Sequence, residues 1–285
     1  MPTPDATLAG TFAIGGDLVV HRLGFGAMRI TGKGIWGPPA DPEECRRVLR
    51  RLPELGIDFI DTAEAYGPYI SEELLAQQLA PYGKIVVATK GGHARTGPDS
   101  WTPIGRPEYL IQGVKLSLRR LKLEQHPLWQ LHRIDAKTPK AEQFGAIAEM
   151  IKQGFVRHAG LSEVSVAEIK EAEGYFPVAA VQNKYSITDR KSEDVLAYCE
   201  ANKIAFIPWR PIDGGNLVAD PVFQSLLKKY VVTDTQLGLA WLLKRSPVML
   251  PIPGTSTVKH LDENTAAAGV QLSDEDYRAL DALRG

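Results

Sequence analysis

Short apolar runs alternate along the chain with longer stretches whose apolar residues recur every three to four positions. The runs are LGFGAM, IDFID, KIVVATK, LWQLH, HAGLS, VAAVQ, IAFIPW and LPIPG, beginning at Leu23, Ile57, Lys84, Leu128, His158, Val178, Ile204 and Leu250. They are short, rich in β-branched residues and lack clean polar–apolar alternation, as in strands buried on both faces. The stretches between them predict helices near 41–55, 71–80, 107–122, 140–153, 165–174, 191–202 and 233–244. A last helix, 273–283, has Ser273 as N-cap and acidic residues in its first turn. Two strand-like pieces, TFAIGG and LVVHRLGFG, stand before the repeat.

Strand–helix alternation implies parallel βαβ units with right-handed crossovers. Eight such repeats within 285 residues predict a (β/α)8 TIM barrel, one domain over 1–285, preceded by a short N-terminal β-hairpin. The alternative is an open doubly wound sheet. That fold carries a Gly-rich turn after its first strand, and GFGAM lacks the third glycine. Long insertions follow the first and third strands, RITGKGIWGPPA and GGHARTGPDSWTPIGRP. Unstructured loops of that length are usually functional or disordered, and barrel enzymes build their sites on the C-terminal face. Met28, Trp36 and Trp101 are therefore expected to wall a substrate pocket, against the plainer reading of idle surface loops. A third loop is expected in RPIDGGNLVADPVFQSLLKKY, from Arg210.

Composition narrows the function classes. The chain is 44% hydrophobic and 24% charged with a formal net charge of −1, and it has no dense Lys/Arg run. Nucleic acid and anionic membranes are not expected partners. The two cysteines, Cys45 and Cys199, fall in helical stretches and form neither a disulfide framework nor a metal site. No basic start, apolar leader or run near the roughly 20 residues of a membrane span is evident. A cytoplasmic protein, monomeric or weakly homo-oligomeric, is the expectation.

The chemistry gathers at strand ends. Asp61 closes IDFID, Lys90 closes KIVVATK, His132 closes LWQLH, and Tyr66 follows the second strand. In a parallel barrel these ends share one mouth. Each residue has a plainer role: a turn cap, packing, a solvated strand end, a satisfied core histidine. Together they suit carbonyl reduction. Asp61 keeps Lys90 charged, and Lys90 is expected to lower the Tyr66 pKa so that the phenol serves as proton donor. His132 orients a substrate oxygen.

The blocks DTAEAYG, VVATKGG, LHRID, GLSEVS, VQNKYS and IPGTSTVKHLDEN resemble, in this order, the signature blocks of the aldo-keto reductases, over roughly Val20 to Leu283. The resemblance implies a TIM barrel that binds NADPH across its strand ends without a Rossmann fold. It assigns Asp61, Tyr66, Lys90 and His132 as catalytic, with Tyr66 the acid. It implies Ser162 and Gln182 on the nicotinamide carboxamide, and Trp209 stacked on the ring. Arg210, Pro211 and Ile212 would run beside the pyrophosphate. Gly254, Thr255 and Ser256 would cradle phosphate at a helix start. Lys259 and His260 would meet the adenosine 2′-phosphate, and Glu263 and Asn264 the adenine.

The sequence departs from the family pattern in three places. Glu163 stands where asparagine is common, His260 where arginine is common, and Pro127 where many members have aspartate. The role of Glu163 is left open. His260 softens the expected preference for NADPH, because histidine is mostly neutral at pH 7. GIWGPP and IPGTS look most like members that reduce pyridoxal, or broad aldehyde reductases close to them; a tryptophan-walled pocket suits an aromatic aldehyde. A different class, an NADPH-bound sensor or scaffold barrel like the potassium-channel β subunits, would want a partner-binding extension or apolar patch. A metal-dependent barrel hydrolase would want clustered ligands, whereas the histidines are scattered, and no metal is expected.

Overall fold

The computed structural model describes residues 3–211 and 219–283. The N-terminal strands β1 (Thr11–Ile14) and β2 (Leu18–His21) form an antiparallel hairpin. The barrel strands are β3 (Phe25–Gly26), β4 (Phe59–Asp61), β5 (Val86–Gly91), β8 (His126–Leu131), β9 (Val156–Ser162), β10 (Val178–Gln182) and β11 (Ala205–Phe206). They pair in parallel in the order β11-β10-β9-β8-β5-β4-β3. A small hairpin, β6 (His93–Ala94) with β7 (Thr102–Pro103), rises from the loop after β5.

The eighth run closes the barrel without forming a regular ladder. Phe206 of β11 bridges Met249 in parallel, and Leu250 N–H donates to the Phe206 carbonyl at 2.8 Å. On the other side the carbonyls of Pro251 and Pro253 accept from the N–H groups of Gly24 and Gly26, at 3.0 and 3.3 Å. Proline has no N–H to return, so this seam carries only half of a normal ladder. It is also tight. A Cβ on Gly26 would stand 2.6 Å from the Ile252 carbonyl, and one on Gly254 would stand 2.6 Å from the Gly26 carbonyl. The glycines are what let the two strands meet. The result is the (β/α)8 barrel expected from the repeat.

The outer helices are α1 (Pro42–Arg51), α2 (Ile70–Leu79), α3 (Pro107–Leu121), α4 (Lys140–Lys152), α5 (Val166–Glu173), α6 (Glu193–Asn202), α7 (Pro221–Tyr230), α8 (Asp234–Arg245), α9 (Val258–Ala266) and α10 (Asp274–Ala282). Local chemistry starts many of them. Asp41 accepts from Glu44 N–H at the head of α1, with Pro42 in the first turn. Ser165 with Glu168 and Thr233 with Gln236 form capping boxes on α5 and α8. Ser273 caps α10 as expected, ahead of Asp274, Glu275 and Asp276. One expectation is corrected. The third loop contains α7, whose N-cap Asp220 accepts from the Val222 and Phe223 N–H groups and whose Phe223 and Leu226 are buried.

Period-two alternation divides each strand between two cores. Phe59, Ala88, Leu128, Ala180, Ala205, Leu250 and Ile252 pack inside the barrel with Ile14, Leu18 and Val20 of the hairpin. The hairpin therefore plugs one end. Neighbouring positions such as Val87, Trp129 and Val181 face the helices instead. Two residues beyond Phe59, Ala88, Leu128 and Ala180 come Asp61, Lys90, Gln130 and Gln182. The pleat turns all four inward as the next layer, at the end opposite the plug.

Candidate active site

That polar layer is dry. Asp61 is 2% exposed and Lys90 is 1% exposed. Register explains their meeting: Asp61 pairs with Ala88, so Lys90 stands one pleat above its neighbour. Lys90 Nζ donates to Asp61 Oδ1 at 2.5 Å, to the Thr62 carbonyl at 2.8 Å and to Tyr66 Oη at 3.2 Å. The other Asp61 oxygen accepts from Gln182 Nε2 at 2.8 Å and from Gln130 Nε2 at 3.2 Å. A carboxylate and an ammonium with their valences filled this way can stay charged away from water.

The four strand-end residues thus share one site. The Tyr66 ring meets the His132 ring edge-on, with centroids 5.9 Å apart. Burial pulls Lys90 toward neutrality, but Asp61 beside it wins and holds its pKa above the usual lysine value. Tyr66 differs from expectation. Burial raises the phenol pKa more than Lys90 lowers it, so the net shift is upward. The phenol is thereby held protonated at neutral pH, loaded as an acid. Burial and then the charge on Lys90 push His132 well below the usual histidine pKa, so its imidazole is neutral. His132 Nδ1 is buried without a partner. An orphaned N–H is the costlier state to bury, so the ring proton belongs on Nε2.

Two insertions roof the site, and Arg95 clasps them. Its guanidinium donates to the carbonyls of Ser100 at 2.6 Å, Ala65 at 2.6 Å and Gly34 at 3.0 Å. It also lies 3.6 Å over the Trp101 ring and 5.9 Å from the Trp36 ring. Trp36 bridges Gly67, directly after Tyr66, and Trp101 meets Tyr66 and His132 edge-on at 6.4 and 6.1 Å. Met28 lies half-buried on the turn just after β3. These loops are structured walls. Sequence reasoning missed both Arg95 and His93, whose ring is 4.4 Å from that of His132. Their one signal was a position in a long insertion after a barrel strand.

Of the residues expected around a dinucleotide, Ser162 and Gln182 end strands at the same mouth. Ser162 and Gln182 are register partners at the ends of β9 and β10. Ser162 Oγ donates to the Gln182 carbonyl at 2.9 Å and accepts from Arg133 at 2.8 Å. Glu163, left open above, has a clear local partner. Its Oε1 accepts from Trp209 Nε1 at 2.5 Å and from Lys184 N–H at 2.7 Å, so it anchors the indole. Arg210 is exposed and Pro211 buried, while Ile212 lies outside the described residues.

At α9, Thr255 and Asn264 are buried, Ser256 and Glu263 half-buried, and Gly254, Lys259 and His260 exposed. Part of that helix start is already engaged. Thr257 caps it by accepting from His260 N–H, and Glu44 Oε1 accepts from Val258 N–H at 2.8 Å.

Known proteins resemble this chain in sequence and fold. The model of the Aldo/keto reductase family matches residues 22–284. An uncharacterized oxidoreductase of Schizosaccharomyces pombe is 55% identical over 278 residues, covering 97% of this chain and 90% of the relative. Pyridoxine 4-dehydrogenase of Escherichia coli is 36% identical over 283 residues, covering 96% of this chain and 98% of the relative. The solved glycerol dehydrogenase from Gluconobacter oxydans matches with a TM-score of 0.84 at 26% identity, covering 96% of this chain and 94% of that one. With the family model spanning nearly the whole chain and close relatives named as oxidoreductases, the chain belongs to the aldo/keto reductase family of NADP(H)-dependent oxidoreductases.

Proposed function

We propose that the protein reduces an aldehyde or ketone to the alcohol at the Tyr66 mouth, with an aromatic aldehyde of the pyridoxal kind as the substrate it fits best. The observation that carries this is Lys90 Nζ standing 2.5 Å from Asp61 and 3.2 Å from Tyr66 Oη in a buried layer. NADPH, when bound, supplies the hydride. The chain supplies the proton and the orientation. Tyr66 Oη holds a proton that burial keeps in place at neutral pH, and it delivers that proton to the carbonyl oxygen as negative charge grows there. Lys90 stabilises the phenolate left behind, and Asp61 keeps Lys90 charged. The Nε2–H of neutral His132 donates to the same oxygen and fixes its direction.

The residues present fit the dinucleotide. Gln182 Oε1 offers a carboxamide an acceptor, and beside it the Ser162 hydroxyl becomes a donor by turning from the Gln182 carbonyl. Trp209 offers a flat face, held by Glu163. Lys259 and His260 are exposed for a 2′-phosphate. Glu44, a carboxylate at the same helix start, opposes a phosphate there and narrows the margin between NADPH and NADH. For the substrate, Met28, Trp36 and Trp101 supply apolar and aromatic wall, and the likeness to pyridoxine 4-dehydrogenase supports a pyridine aldehyde.

NADPH oxidation by the purified protein tests this across pyridoxal, methylglyoxal, nitrobenzaldehyde and a steroid ketone. Turnover is expected, fastest with an aromatic aldehyde. Tight NADPH binding with no turnover of any carbonyl would overturn the reading.

A further inference from the structure

The reaction just described leaves one buried imbalance in the site unused. His93 is 7% exposed, and its ring packs edge-on against His132 at 4.4 Å and Trp101 at 5.8 Å. Its Nδ1 is buried without a partner. Its Nε2 makes no hydrogen bond to the protein among the described residues, yet it is not sealed away, so it is the nitrogen that meets the open site. The ring is held firmly. The Glu64 carboxylate accepts from the neighbouring Gly92 N–H at 3.0 Å, Tyr109 Oη donates to the His93 carbonyl at 2.9 Å, and His93 pairs with Pro103 across the small hairpin.

The protonation state follows from these surroundings. Burial, with Arg133, Arg95 and Lys90 nearby, pushes His93 down to about 4, so the ring is neutral at pH 7. An unpaired N–H is expensive to bury, which places the single proton on Nε2. His93 and His132 then present two neutral N–H donors from adjacent rings. The reacting carbonyl oxygen has two lone pairs, which Tyr66 and His132 take, so the His93 N–H is left for a second substrate oxygen; a substrate that fills the site without one leaves that donor unpaired.

We propose that His93 and His132 form a two-donor subsite selecting carbonyl substrates that carry a second oxygen on the neighbouring carbon: an α-hydroxy or α-oxo carbonyl, or an aryl aldehyde with an ortho-hydroxyl. The proposal rests on the carbonyl-reductase reading. His132 holds the reacting oxygen, and His93 Nε2–H donates to a lone pair of the second. His93 has no part in proton delivery, because among the described residues Tyr66 is the aromatic side chain to which Lys90 Nζ donates.

The test compares 2-hydroxybenzaldehyde with benzaldehyde, each with NADPH, for the wild type, His93→Phe and His93→Gln. The phenylalanine keeps the ring packing and removes the donor; the glutamine restores an N–H. For His93→Phe, kcat/KM on 2-hydroxybenzaldehyde should fall about tenfold, the scale of one hydrogen bond. On benzaldehyde it should fall no more than about twofold, with NADPH affinity and thermal unfolding unchanged. His93→Gln should recover part of the loss on the hydroxylated substrate alone. Equal losses on both aldehydes, or none on either, would overturn the subsite while leaving the reductase reading intact. A wild type that reduces neither aldehyde would overturn both.

Discussion

The two mouths of the barrel use similar residues to opposite ends. At the plugged mouth, Asp17 pairs with Arg157 and His158 at 2.6 Å each, and His21 with Asp58 at 2.7 Å, all with one partner at least a fifth exposed. The apolar hairpin residues Ile14, Leu18 and Val20 do the sealing there. At the open mouth, Asp61 and Lys90 pair at 2.5 Å with almost no exposure. Water weakens the first set of pairs and is missing from the second. The same carboxylate–cation chemistry is thus rim decoration at one end and a fixed electrostatic machine at the other.

The contrast is sharpest where one partner is removed. Asp61→Ala strands a buried ammonium, and a cost of about 3–5 kcal/mol is expected in denaturant unfolding at pH 7. A cost like that of a surface substitution would mean the open mouth is wetter than its geometry shows. Beside that layer sits Glu64, whose buried carboxyl is raised to about 7 by burial and then by Glu72. A carboxyl with a raised folded pKa adds stability below its unfolded value, near 4.5, and loses it as pH rises through 7. Glu64→Gln removes that loss. Its stability relative to wild type should therefore be better at pH 8 than at pH 5, by on the order of 2 kcal/mol. A pH-independent difference would show that Glu64 titrates normally. The smallest effect belongs to the plugged mouth, where Asp17→Asn should leave the unfolding midpoint unchanged. A clear drop would erase the distinction between the two ends.

Much of this was legible in the chain because the signals are local. Strand runs such as VAAVQ match β10 residue for residue, and Ser273 capped its helix as read. Asp61, Lys90, Tyr66 and His132 were legible because strand ends in a parallel barrel converge. What stayed hidden depends on distance or burial. The Asp220–Pro221 start of helix α7 comes soon after two glycines in the sequence and was read as more loop. The Asp61–Gln182 bond spans 121 residues, and the Glu163–Trp209 bond spans 46. The upward shift of Tyr66 depends on how completely the roof excludes water, which no spacing records. His93 carried no periodicity; the hairpin β6–β7 alone turns it toward His132.

The central claim is that Tyr66 is the proton donor of a buried Asp61–Lys90–Tyr66 relay. Its most direct measurement is single-turnover oxidation of prebound NADPH by Tyr66→Phe with a reactive aromatic aldehyde. The relay predicts a fold and NADPH affinity like wild type and a hydride-transfer rate at least about a hundredfold lower. A rate near that of wild type would contradict it.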